Sequence, residues 1–400
     1  MAAKIPSIKK VGMEKSKDKN FNTDLAGLLI VSVEQAVAGP YASGKLADAG
    51  ARVIKIERPE GDFARKYDAA GGNKSSYFIW LNRGKESICL DLKKPEDKKI
   101  LLTMVKHADV FIQNLMPGVI DRLVADFQKM QRLNPSLIRC DISGYGSTGK
   151  FASVKAYDLL IQAETGLSSI TGAVSEPGRV GVSVCDIAAG MTAYQSILQA
   201  LYARLKTNQG RQIEVSLFHS LMDWMNVPHL QKQYGNTAVA RVGLNHPTIA
   251  PYGVYSTKDG KKILIGVQNE REFKIFCSEI LEMEWLATKP EFDNNINRVA
   301  NRNALDKIIK SRFAKIELNI LAEDLQKNNI AFGRLNGLDD LLVHSQTEFI
   351  SVSTGGKEYN LFSPSGIIQG QKYQLGEVPE LDQHGSKLRR EFNIIKSEGY

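Results

Sequence analysis

Cysteine is scarce in this chain: Cys89, Cys140, Cys185 and Cys277 are the four in 400 residues, and no two form a CxxC pair. That scatter argues against a disulfide framework or a zinc site and makes a reducing cytoplasm the expected compartment. Histidine is equally thin. The six, at 107, 219, 229, 246, 344 and 384, show no HExxH or other ligand spacing, so no metal is expected. Long apolar runs are missing as well. The longest, such as the one ending at Val33, fall far short of the roughly 20 residues that cross a bilayer. The N-terminus carries lysines with no apolar stretch behind them, so no secretory signal is expected. Nor do aromatic and basic residues interleave as a nucleic-acid platform requires.

What remains is an ordinary globular composition, 43% hydrophobic and 24% charged, on a chain too long for one compact core. Half of the net charge of +8 is local. Lys4, Lys9, Lys10, Lys15, Lys17 and Lys19 crowd the first 20 residues against two acids, Glu14 and Asp18. That run reads as a flexible basic tail over residues 1–24. The rest is only mildly basic, which suits a ligand with several phosphates.

Elements alternate along the next stretch. Leu28–Val33 reads as a buried strand, Gly44–Ala49 as a helix stopped by Gly50, and Arg52–Glu57 as the next strand. Ala38-Gly-Pro40 in the connecting turn holds one glycine, so the GxGxxG fingerprint of dinucleotide sites is lacking. Strands follow at Ile88–Leu92, Asp109–Gln113 and Leu137–Ser143, with helices over Pro95–His107 and Val119–Met130. This pattern predicts a doubly wound α/β domain with a mostly parallel sheet. Val180–Cys185 reads as a further apolar strand, followed by a small-residue helix over Ile187–Lys206. The character changes near Pro228. A hairpin around Asp259-Gly260 and helices from Glu270 to Lys327 form a smaller domain, and Leu388–Ile395 is helical. The expected division is 25–227 for a large domain, 228–334 for a small one, and 335–400 returning to the first.

Eight separated motifs, in order, carry a resemblance: Ala38-Gly-Pro40, Val53-Ile-Lys-Ile-Glu-Arg58, Leu90-Asp-Leu92, Asn114-Leu-Met-Pro-Gly118, Ser143-Gly-Tyr-Gly146, Lys155-Ala-Tyr-Asp158, Asp186-Ile-Ala-Ala-Gly190 and Gly210-Arg-Gln-Ile-Glu-Val215. From about Leu25 to about Gly385 the chain resembles the class III CoA-transferases, the family of formyl-CoA and carnitine CoA-transferases. α-Methylacyl-CoA racemase shares their fold. The resemblance implies a Rossmann-like large domain built from N- and C-terminal parts, a smaller α/β domain, and an interlocked homodimer. It implies coenzyme A or acyl-CoA as substrate, no permanently bound cofactor, and neither nucleic acid nor membrane as partner.

Asp186 stands where an apolar run gives way to a helix. By position alone it reads as a helix cap, stabilised as an anion by the dipole and free N–H groups. The resemblance makes it the catalytic nucleophile. It also assigns CoA contacts to Val37, Ala38, Arg58, Leu90, Lys93, Asn114, Leu115, Arg122, Lys155 and Tyr157, and a substrate contact to Tyr77. Some relatives carry Gln at the position of Val37. The racemase branch has histidine where this chain has Tyr157, and a phenol is a poor base at neutral pH, which disfavours the racemase alternative. A non-catalytic CoA-binding homologue is the third reading. Gly243–Gly253 stands where relatives carry a mobile glycine-rich loop. Asn245–Tyr252 and Gln268–Glu272 resemble the subgroup that pairs succinyl-CoA with C4–C5 diacids such as itaconate, mesaconate or citramalate. His246, Thr248 and Arg271 are candidates for the distal carboxylate of such an acid.

Overall fold

The computed structural model describes residues 23–72, 74–235, 241–366 and 368–394; the lysine-rich segment 1–22 lies outside the described residues. In chain order come β1 (Leu29–Val33), α1 (Ala38–Asp48), β2 (Arg52–Glu57), α2 (Ser76–Asn82), β3 (Lys85–Cys89) and α3 (Pro95–His107). Next are β4 (Val110–Gln113), α4 (Val119–Leu123), α5 (Phe127–Leu133), β5 (Ile138–Ser143), α6 (Asp158–Glu164), α7 (Leu167–Ile170) and α8 (Val184–Thr207). Then follow β6 (Gln212–Ser216), α9 (Leu217–Trp224), α10 (Asn226–Gln233), β7 (Tyr252–Ser256), β8 (Lys262–Gly266), α11 (Glu270–Ile275), α12 (Asn295–Ala300) and α13 (Arg302–Phe313). The last are α14 (Leu318–Lys327), β9 (Ala331–Arg334), α15 (Leu338–Leu342), β10 (Phe349–Thr354), β11 (Lys357–Phe362) and α16 (Gly385–Ile394).

The described residues divide into two compact units. One holds residues up to Gly166, Val180–Val227 and Glu348 onward; the other holds Leu167–Arg179 and Pro228–Thr347. In the first unit a six-stranded sheet runs β3-β2-β1-β4-β5-β6, every pair parallel. The order reverses between β1 and β4, so the crevice at their carboxyl ends is where a doubly wound sheet binds ligands. Central strands covered on both faces read as near-continuous apolar runs, and Ile30, Val31, Ile54, Val110, Phe111 and Ile112 are all fully buried. Gly210 of the Gly-Arg-Gln motif packs its backbone against β5's entrance. A Cβ there would stand 1.8 Å from the Leu137 carbonyl oxygen, so no side chain fits.

Three local expectations are corrected. Val180–Cys185 is not a strand: the Val180 N–H goes to the Gln162 side chain and the Cys185 N–H to Asp158, leaving no ladder, and Val182 is exposed. Its apolarity belongs partly to the surface. The expected helix over Val119–Met130 is two, because Asp126 caps α5 by accepting from the Lys129 N–H at 2.7 Å. The first helix begins at Ala38, six residues earlier than read, since Pro40 is tolerated in a helix's opening turn.

The second unit carries an antiparallel sheet, β7-β8-β9, whose hairpin turns at Asp259-Gly260. Phe273, Phe276, Phe313, Leu321 and Leu325 form its core. Residues 167–179 join this unit because Arg241 donates to the carbonyls of Ser169, Ala173 and Val174. Among the described residues no helix is long and apolar enough to cross a membrane, and no group of three or more His, Cys, Asp or Glu is placed to hold a metal ion.

Candidate active site

The reversal point of the sheet is built on buried charge. Lys55, in the middle of β2, and Lys85, opening β3, are both fully buried, as is Glu34 just past β1. Lys85 Nζ donates to Glu34 Oε1 at 2.7 Å and to the Pro40 carbonyl at 3.0 Å. Lys55 Nζ donates to Asp62 Oδ2 at 2.9 Å. Glu57 receives two bonds from Arg65 and one from the Ser87 hydroxyl. Burial alone would raise the Glu34 carboxyl, but Lys85 and Lys55 outweigh it and hold it down at about 2. The network ties the exits of β1 and β2 to the start of α1.

Upon this base sits a left-handed turn. Ala36 has φ of 62°, a costly conformation for a residue with a Cβ. Its N–H donates to Asp62 Oδ1 at 3.1 Å. Asn114, at the exit of β4, accepts from the Gln35 N–H at 2.9 Å and donates to the Gln35 carbonyl at 2.7 Å. So Asn114 spends its amide on the turn. Val37 and Ala38, the next two residues, are buried.

Beside this turn opens a cavity of about 380 Å³ at the carboxyl ends of β1, β2 and β3. Arg58, Leu90, Lys93 and Leu115, four of the residues assigned to CoA, line it. Arg58 and Lys93 are exposed at the surface, and Arg58 is steered by donating from Nε to the Gly61 carbonyl at 2.9 Å. Arg122 is an exposed residue of α4 next to Leu123, which also lines the cavity. Lys155 and Tyr157 do not line it; they are exposed on the segment leading into α6. An anionic ligand in this cavity meets two cations in open reach. Accordingly, Arg58→Ala is expected to raise KM for an acyl-CoA about tenfold with little change in kcat, less so at high salt. Steady-state kinetics at two ionic strengths checks it.

Asp186 is the third residue of α8, inside the first turn and not at its cap. The expected stabilisation of its anion is also absent, because the helix's opening N–H groups are taken. Val184 donates to the Val182 carbonyl, Cys185 and Asp186 donate to Asp158 Oδ1 at 2.7 and 3.2 Å, and Ile187 donates to the Ser183 carbonyl. Burial, and then the charge of Asp158, push the Asp186 carboxyl up to about 7. One turn on, a Cβ at Gly190 would stand 2.9 Å from the Ala38 carbonyl and the Tyr41 Cβ, so α8 lies directly against the start of α1.

The sequence reading missed Tyr67. Its phenol is pushed up by burial and then by the charges of Asp62 and Asp186, with Tyr157 and Tyr77 contributing, which gathers these groups into one neighbourhood. Its ring meets that of Tyr77 edge-on at 5.5 Å and also packs on Phe63. No local signal marks Tyr67, because the chain reaches this place through a short 3-10 turn carrying no motif.

In the second unit His246 stacks on Tyr252, ring centroids 5.1 Å apart, and its Nδ1 accepts from the Thr248 N–H at 3.2 Å. Burial and nearby Arg302 lower its pKa. The structure brings His246 and Thr248 together, but Arg271 is exposed on α11. The arginines reaching this loop are Arg302, which donates to the His246 and Ile249 carbonyls, and Arg298, which donates to the Ala250 carbonyl.

Fold and site thus define a doubly wound α/β protein with a ligand cavity at its switch point and a poised carboxyl group at a nearby helix start. Residues 25–358 match the model of CoA-transferase family III. The chain belongs to that family and is a class III CoA-transferase. It is 35% identical to an acetyl-CoA:oxalate CoA-transferase of Acetobacter aceti over 92% of this chain and 95% of that protein. It is 31% identical to the succinyl-CoA:glutarate CoA-transferase of Homo sapiens over 94% and 87% respectively. Among solved structures it is similar to a CAIB/BAIF family protein from Brucella suis, with a TM-score of 0.80, 32% identity, and 93% and 100% of the two chains covered.

Proposed function

We propose that the chain transfers CoA from succinyl-CoA to a C4–C5 dicarboxylate through covalent adducts on Asp186. An Asp186 oxygen attacks the thioester carbonyl, the C–S bond breaks, and a mixed anhydride and CoA thiolate form. The thiolate attacks the aspartyl carbonyl, releasing the donor as carboxylate and leaving an aspartyl-CoA thioester. The acceptor carboxylate attacks that thioester and frees the thiolate, which then takes the acceptor's acyl group and returns Asp186. The thioester's free energy is carried throughout, so no ATP is required.

The observation that carries this reading is a carboxyl raised to about 7, with Asp158 as its charged neighbour, on a helix packed against the turn beside the cavity. Arg58, Lys93 and Arg122 meet the CoA phosphates, with Leu90 and Leu115 against the nucleotide. Val37 and Ala38 border the acyl group, with the first-turn N–H groups of Ala38 and Gly39, free of intrahelical partners at a helix start, facing the oxyanion. Tyr77 is assigned to the acyl end, and Lys155 and Tyr157 to the CoA chain.

The two relatives' names pair CoA esters with dicarboxylates, which supports a diacid acceptor. His246, Thr248 and Arg271 are assigned to its distal carboxylate. Arg271→Ala is expected to cut kcat/KM for a diacid about tenfold more than for a monoacid; equal losses remove Arg271 from the assignment. The protein works as an interlocked cytoplasmic homodimer of two-domain subunits. Exposed Leu159, Leu160, Tyr202, Leu205, Trp224 and Val227 supply the apolar surface such an assembly covers. The deciding experiment incubates the protein with succinyl-CoA and a panel of carboxylates and identifies new CoA esters by mass. A panel yielding none overturns the proposal.

A further inference from the structure

We infer that Asp158 is a positioning residue for the transfer: by occupying the N–H groups that open α8, it denies them to Asp186 and keeps the nucleophile's oxygens unclaimed and repelled. This rests on the proposed role of Asp186. A carboxylate near the start of an α-helix ordinarily gains free N–H donors and the positive end of the dipole. Both are held by Asp158 here, through Oδ1 to Cys185 and Asp186. Its Oδ2 accepts from Gln162 Nε2 at 2.7 Å, and Gln162 Oε1 accepts from the Val180 N–H at 2.9 Å. The brace therefore fixes both α8's first turn and the segment entering it. Three donors on two oxygens is the geometry of an ionised carboxylate.

The consequence is chemical. An Asp186 carboxylate that takes no hydrogen bond from the described residues retains its basicity, and attack on a thioester carbonyl improves with basicity. The charge of Asp158 adds a second effect. Once Asp186 is acylated, as anhydride or as thioester, it is neutral, and the repulsion between the two carboxylates ends. The like charge thus raises the free nucleophile relative to its covalent adducts.

Other ionisable groups near Asp186 do not confuse the reading. Tyr67 faces it from the 3-10 turn, Cys185 adjoins it on α8, and Tyr41 lies against Gly190 from α1; all three are raised, so none ionises in the neutral range. Tyr157 precedes Asp158 at the cap of α6 and Glu164 ends that helix, and His219 and Asp223 lie on α9, which packs along α8. His219 Nδ1 is bonded to the Ser216 hydroxyl at 2.6 Å.

Asp158→Asn removes the charge while keeping an oxygen for the two backbone N–H groups. Titration of the Asp186 carboxyl in ¹³C-aspartate-labelled protein, assigned with Asp186→Asn, reads the effect without any substrate. The midpoint is expected near 7 in the wild type and lower by about one pH unit or more in the variant, the rising limb of kcat/KM moving with it. Should Asp158→Asn be unstable, Asp158→Asn with Gln162→Glu restores the matching of donors and acceptors and is expected to leave the midpoint between the other two. Identical midpoints in wild type and both variants overturn the inference, leaving Asp158 a helix cap. Failure of the wild type to exchange CoA would instead sink the proposed function, while the titration still reads Asp158.

Discussion

Asp186→Asn is expected to abolish CoA exchange, with kcat down at least about a thousandfold, while acyl-CoA still binds in the cavity lined by Arg58 and Lys93. An amide neither attacks the thioester nor carries CoA as a thioester, so residual activity has no covalent route. The same variant is expected to be more stable than the wild type. Asp186 titrates higher in the folded protein, at about 7, than the 3.8 ordinary for aspartate. Below about pH 4 both states hold the proton and the substitution is neutral. Between about pH 4 and pH 7 the unfolded chain gives up this proton while the folded wild type, whose surroundings oppose the charge, keeps it, so stability is lost across that window and levels off above it. The variant escapes that cost, by about 2 kcal/mol at pH 8 after allowing for partial solvent screening. Equilibrium unfolding at pH 4 and pH 8 checks it; equal gains at both, or a loss at pH 8, would contradict the origin given for the raised carboxyl.

Lys55→Met is expected to destabilise the protein by about 3–5 kcal/mol in denaturant unfolding, the usual cost of removing one partner of a buried ion pair. Lys55 is fully buried, with Asp62 at 2.9 Å and Glu34 at 3.5 Å. Without it, Asp62 loses its cation while still holding the N–H groups of Ala36 and Ala64. Because Asp62 pins the left-handed Ala36, the variant is also expected to raise KM for acyl-CoA. A loss under about 1 kcal/mol would mean that the Ala36 turn is held by other bonds.

The parallel sheet was legible because buried strands in a doubly wound fold leave mostly apolar runs, as in Leu29–Val33 and Val110–Gln113. The same rule misled at Val180–Cys185, where apolar residues occur without a ladder because side chains of α6 take the backbone N–H groups. Lys55 within Val53-Ile-Lys-Ile-Glu57 carried a signal: a cation amid a buried strand requires a buried partner. The identity of that partner, Asp62, depends on how a loop returns. Four of the residues that the resemblance assigns to CoA converge on one cavity because they follow strand ends, which chain order already specifies. Asp158 and Asp186 were each visible, yet their coupling across 28 residues was not. Tyr67 and the attachment of 167–179 to the second unit likewise depend on contacts distant in sequence.

The most direct measurement is to trap the adduct on Asp186. With succinyl-CoA and an acceptor turning over, borohydride or hydroxylamine is added, and the peptide containing residue 186 is weighed. A reduced or hydroxamate-bearing side chain is expected at Asp186, absent without acyl-CoA. Rapid exchange with that carboxyl always recovered unmodified would contradict it.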